Sequence, residues 1–100
     1  MAFTGEEKHE ISREDATKLI NNSRKKLSAQ EYDKAKRGGF FGRKAIEKLL
    51  AQKGCVGIRY YFAEHDDDTP DVVLVGVGKD QKDLSKSTYL EASMPCPPYC

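Results

Sequence analysis

Three cysteines offer the most direct chemistry in the chain: Cys55, and then Cys96 and Cys100 around Pro97, Pro98 and Tyr99. Thiolates can hold a soft metal, but structural zinc wants four converging ligands, usually in closely spaced pairs. His9 or His65 would have to complete the set. His65 is expected at the opposite end of a strand from Cys55, about 30 Å away at roughly 3.3 Å per residue. A zinc site built within one chain is therefore disfavoured, while a metal shared between chains stays open. The Cys-x-x-x-Cys spacing also departs from the Cys-x-x-Cys of thioredoxin-like sites, and no helix follows to lower a thiol pKa. Reversible disulfide formation is the thiol alternative. The structural alternative is a rigid tail packed across the sheet near Cys55.

A second constellation is basic and aromatic: Lys34, Lys36, Arg37, Phe40, Phe41, Arg43 and Lys44, interleaved with Gly38, Gly39 and Gly42. Arginines and rings in such a loop can neutralise phosphate and stack on bases, and a following helix N-terminus can receive an anion. No Walker, dinucleotide or RNA-recognition signature accompanies them. Seventeen basic against sixteen acidic residues leave a net charge of +1, which argues against nonspecific binding of nucleic acid or anionic membrane. The same residue types anchor protein partners efficiently. Phe40, Phe41, Arg43, Arg59 and Tyr61 are the candidate anchors.

The acidic run Glu64, Asp66, Asp67, Asp68 and Asp71 lacks the spacing and the glycine of an EF-hand loop, so it reads as a solvated hairpin tip. No Ser-His-Asp or His-Glu-x-x-His arrangement nominates acid/base residues, and no motif nominates a cofactor.

These residues must be positioned by a β-hairpin. Residues 54–63 and 72–78 are rich in β-branched and aromatic side chains and flank a run of acids, Thr69 and Pro70. Pairing Phe62 with Val73, Tyr60 with Val75 and Ile58 with Val77 gathers Val56, Ile58, Tyr60, Phe62, Val73, Val75 and Val77 on one face. The other face then carries Cys55, Gly57, Arg59, Tyr61, Ala63, Val72, Leu74, Gly76 and Gly78. It is thinner and holds a charge, which suits close approach by a backbone or a ligand.

Ahead of the hairpin, residues 1–11 read as a flexible lead. Ser12 is an N-cap for a helix to about Leu27, with Ala16, Leu19, Ile20, Ser23 and Leu27 as one narrow apolar stripe. Ser28 and Glu31 form a capping-box signal for a short helix ending before Gly38. A third helix precedes Gly54, with Ile46, Leu49, Leu50 and Lys53 on its inner side. Residues 88–93 suit a short third strand, and three prolines in five positions make the end of the chain stiff and extended.

One hundred residues, 38% hydrophobic and 33% charged, suit a single folded domain over 12–100. Its expected class is α+β, two or three N-terminal helices packed on a small antiparallel sheet built on the 55–78 hairpin. With no apolar run of about 20 residues and a charged N-terminus, the expected location is the cytoplasm, where thiols stay reduced.

Residues 54–61, 73–77 and the Met94-Pro95-Cys96-Pro97-Pro98-Tyr99-Cys100 tail resemble a family of small uncharacterised bacterial proteins, over roughly residues 39–100. The resemblance implies no activity; it implies that the glycines, Arg59 and the cysteine-proline tail lie near one another. The expected function is a non-catalytic interaction or assembly module with a protein partner. A thiol or metal protein using Cys55, Cys96 and Cys100 is the alternative, and weak nucleic-acid binding through residues 34–44 is the second.

Overall fold

The computed structural model describes residues 2–35, 38–84, 88–90, 94–96 and 98. In chain order the elements are α1 (Arg13–Arg24), α2 (Ala29–Lys34), β1 (Gly38–Phe40), α3 (Arg43–Leu50), β2 (Cys55–Glu64), β3 (Pro70–Gly78) and β4 (Met94–Cys96). The class is α+β.

Both serine caps form as their spacing requires. Ser12 Oγ accepts the Asp15 N–H at 3.0 Å, and Ser28 Oγ accepts the Glu31 N–H at 3.1 Å. Each satisfies a first-turn donor that has no partner inside its helix. The first helix stops at Arg24 rather than Leu27, because the Lys26 and Leu27 amides donate to carbonyls three residues back and tighten the last turn. No α1 residue is buried. The packing helix is α3, which meets both β2 and β3 and buries Leu49 completely.

The hairpin is antiparallel, but its register differs by one residue from the expected one. Phe62 pairs with Val72, Tyr60 with Leu74 and Ile58 with Gly76, while Tyr61 pairs with Val73 and Arg59 with Val75. Opposed residues share a face, so Val73, Val75 and Val77 join Gly57, Arg59 and Tyr61, and the aromatics Tyr60 and Phe62 join Val72 and Leu74. Turn geometry decides this. His65 N–H donates to the Thr69 carbonyl at 2.9 Å and Asp68 takes the left-handed φ of 67°, closing the loop so that Glu64 faces Pro70. A bulge between Cys55 and Gly57 then absorbs one residue at the other end.

The free edge of β3 carries the segment after it. Leu84 N–H donates to the Gly76 carbonyl at 2.9 Å, and Leu74 and Leu90 exchange both backbone hydrogen bonds. Of the third strand expected over residues 88–93, Leu90 alone among the described residues pairs with the sheet, Thr88 and Tyr89 are neither helix nor strand, and residues 91–93 lie outside the described residues. The tail takes another course from the one expected. Its strand β4 pairs with β1, Cys96 opposite Gly38 and Met94 opposite Phe40, so Gly38 and Gly39, expected in a loop, are part of a strand.

Leu49, Val75 and Val77 are the buried hydrophobic residues among those described. Over Gly76 the chain closes tightly: a Cβ there would lie 3.1 Å from Cys55 Sγ and 3.2 Å from Leu84 Cδ1, with Gln52 Nε2 at 3.6 Å. Glycine lets the end of α3 and the 84 segment approach the sheet. Among the described residues no helix is long and apolar enough to cross a membrane.

Candidate interaction surface

The two faces of the hairpin have different fates. On the Arg59 face, Arg59 Nη1 donates to Asp83 Oδ1 at 2.5 Å and Nη2 donates to the Gln81 carbonyl at 2.9 Å. The Tyr61 hydroxyl donates to Asp83 Oδ2 at 2.6 Å. Asp83 pairs across β3 with Val77, so this network runs over the buried valines and straps the 79–84 loop to the sheet. Gln81 sits there at φ 71°, a conformation side-chain-bearing residues seldom adopt. The hydrogen bond to the Asp83 carboxylate pushes the Tyr61 phenol above its ordinary value, because ionisation would set two anions against each other. Arg59 and Tyr61, expected as partner anchors, hold the 79–84 loop through these bonds, while Tyr61 stays 44% exposed.

The opposite face remains open toward the hairpin tip. Phe62 is 87% exposed and Tyr60 62% exposed. Their rings meet edge to face, 5.6 Å between centroids and 74° between planes, an arrangement that holds each ring while leaving its outer surface free. Val72 and Leu74 opposite them are half-buried, and Leu90 continues the row across β3. The tip beyond is acidic, with Glu64, Asp66, Asp67 and Asp68 exposed. His65 Nε2 lies 2.8 Å from Asp71 Oδ2, and Asp71 Oδ1 accepts the Val72 N–H.

Along β2 runs a groove of about 560 Å³, lined by Phe3, Gly5, Leu50, Val56, Ile58 and Tyr60 among others. Its outer wall is the segment expected as a flexible lead. Phe3 N–H donates to the Lys79 carbonyl at 3.0 Å, and Gly5, at φ 87°, passes so close that a Cβ would lie 2.9 Å from the Val56 carbonyl oxygen. A turn secures it: the Glu7 carboxylate accepts the Thr4 and Gly5 amides, both at 2.8 Å, and the Thr4 hydroxyl at 3.1 Å. These bonds, led by the Thr4 amide, lower the Glu7 pKa from 4.5 to about 2.

The remaining sequence candidates are spread over other elements. Phe40 is 57% exposed on β1, Phe41 is half-buried, and Arg43 is exposed at the start of α3. Lys36 and Arg37 of the basic loop, like Cys100 of the tail, lie outside the described residues. Cys55 is a free, half-buried thiol whose Sγ contacts the Gly57 carbonyl at 3.2 Å. Cys96 is disulfide-bonded, against the reduced state expected of it, and Cys55 stands outside that bond. Among the described residues no three His, Cys, Asp or Glu side chains converge as metal ligands would.

Two features escaped the sequence reading. Asp83 sits in a stretch without periodicity, 24 residues from its partner Arg59, and no local spacing marks it. The exposed aromatic pair was assigned to the core because a one-residue register difference exchanges the faces. The turn chemistry of Thr69 and Asp68 was the signal that could have corrected it.

Compared with known protein-family models, curated proteins and solved structures, the chain finds no match.

Proposed function

We propose that the protein is a non-catalytic protein-interaction module that binds through the Tyr60–Phe62 face of its hairpin. One observation carries this: two adjacent aromatic rings stand largely in solvent on a sheet face whose neighbours Val72, Leu74 and Leu90 are apolar. Aromatic residues exposed together on a rigid element are efficient anchors, since little conformational freedom is lost when they are covered. The Arg59–Asp83–Tyr61 strap supports the reading from below, because it stiffens the sheet that presents them.

Photo-cross-linking tests it. Phe62→benzoylphenylalanine should give a discrete adduct in cells, while Lys48→benzoylphenylalanine, on the exposed side of α3, should not. Competition by excess unmodified protein should remove the adduct, and the same excess carrying Phe62→Ser should not. Absence of an adduct at position 62, or identical adducts from both positions, would refute the assignment.

A further inference from the structure

We propose that the partner of this face is a second copy of the chain, docked so that α1 of each copy lies across the Tyr60–Phe62 face of the other. This rests on the reading of that face as an interaction surface and names its occupant. Two apolar surfaces of the one chain complement each other. α1 buries none of its residues, and its stripe leaves Leu19 60% and Ile20 53% exposed. An amphipathic helix and an apolar sheet face are each incomplete alone, and a helix laid on a sheet is the usual way both are covered.

The exposed area is large enough for such a contact. The chain exposes 8332 Å², whereas a compact monomer of 11.2 kDa exposes about 5,700 Å². Its radius of gyration is 15.6 Å, against about 13 Å for a compact chain of this length. The surplus of about 2,600 Å² exceeds the roughly 800 Å² that each partner buries in a standard stable interface.

Charge sets the direction. With Leu19 and Ile20 over Tyr60 and Phe62, Lys25 and Lys26 lie about 9 Å further along the helix. The acidic tip begins about 7 Å beyond Phe62, at Glu64, and continues through Asp66, Asp67 and Asp68. Reversing the helix would bring Arg13, Glu14 and Asp15 to that tip instead, a net negative group in place of two lysines. A two-fold arrangement forms each favourable contact twice.

The full-length protein provides the test, by sedimentation equilibrium at low ionic strength over a wide concentration range. Wild type should reach twice its chain mass, and Leu19→Asp or Phe62→Ser should weaken association by about tenfold or more, with unchanged far-UV circular dichroism. A charge exchange then identifies the contact. A chain carrying Lys25→Glu with Lys26→Glu, and another carrying Asp66→Lys with Asp67→Lys, should each be monomeric near the wild-type dissociation constant and form a dimer when mixed. A mixture that stays monomeric overturns the proposal, as does a wild type monomeric at all concentrations. If such a monomer still gives a Phe62 adduct with another protein, the second copy is refuted and the interaction surface stands; a dimer indifferent to Phe62→Ser refutes both.

Discussion

Asp83 joins what the chain separates most widely, accepting from Arg59 and Tyr61 of β2 while its own segment lies on the far side of β3. Asp83→Ala should lower the melting temperature and move the Tyr61 phenol down from its raised position, read by ultraviolet titration of the tyrosines. The sign of the pH dependence follows. Tyr61 is an acid whose folded pKa lies above its unfolded 10.0, so its contribution is fully present below pH 10 and disappears as pH rises through the folded value. Glu7 behaves oppositely. Its folded pKa of about 2 lies below 4.5, so its contribution is present above pH 4.5 and is lost as pH falls through about 2. Glu7→Gln should therefore lower the protection of the Thr4 and Gly5 amides from hydrogen exchange at neutral pH, and the difference from wild type should shrink as pH falls through about 2. Asp83 does not announce itself by spacing, because its bonds are set by tertiary approach, whereas Glu7 stands three residues after Thr4, the spacing that lets a carboxylate reach back to the Thr4 amide.

Among the elements, helix starts were the most legible. Ser12 and Ser28 each sit three residues before the amide they accept, a relation dictated by helical geometry alone. Ser12→Ala should cost about 1 kcal/mol of α1 stability. A 12-residue helix that buries nothing has little else to hold it, so the loss should be visible as reduced far-UV helicity in the monomeric Phe62→Ser background. The hairpin was equally legible as an element and misread in register. The apolar frame of β2 fits either face of β3, since β3 is apolar almost throughout. Only the loop from His65 to Thr69 breaks that tie, through one backbone closure and one left-handed aspartate. The β1–β4 pair lay beyond sequence reasoning, because it joins a diglycine to a proline-containing tail more than fifty residues later.

For the whole molecule, exposed area is the governing fact. Three buried hydrophobic residues among those described make a small core, so burial on association should contribute strongly to stability. The melting temperature should accordingly rise with protein concentration, and the rise should vanish in Leu19→Asp; a concentration-independent transition in wild type would contradict self-association. What the sequence determined by itself was local and periodic: the α+β class, the capped helix starts, the hairpin and its acidic tip. Those follow from hydrogen bonds and apolar spacings that close within a few residues. The tertiary structure decided which hairpin face was spent and which was left open. Arg59 and Tyr61 found Asp83 across the sheet, and Tyr60 and Phe62 turned to solvent. That choice hangs on a one-residue register set at the turn, and in a sheet a single residue exchanges every side chain between the two faces.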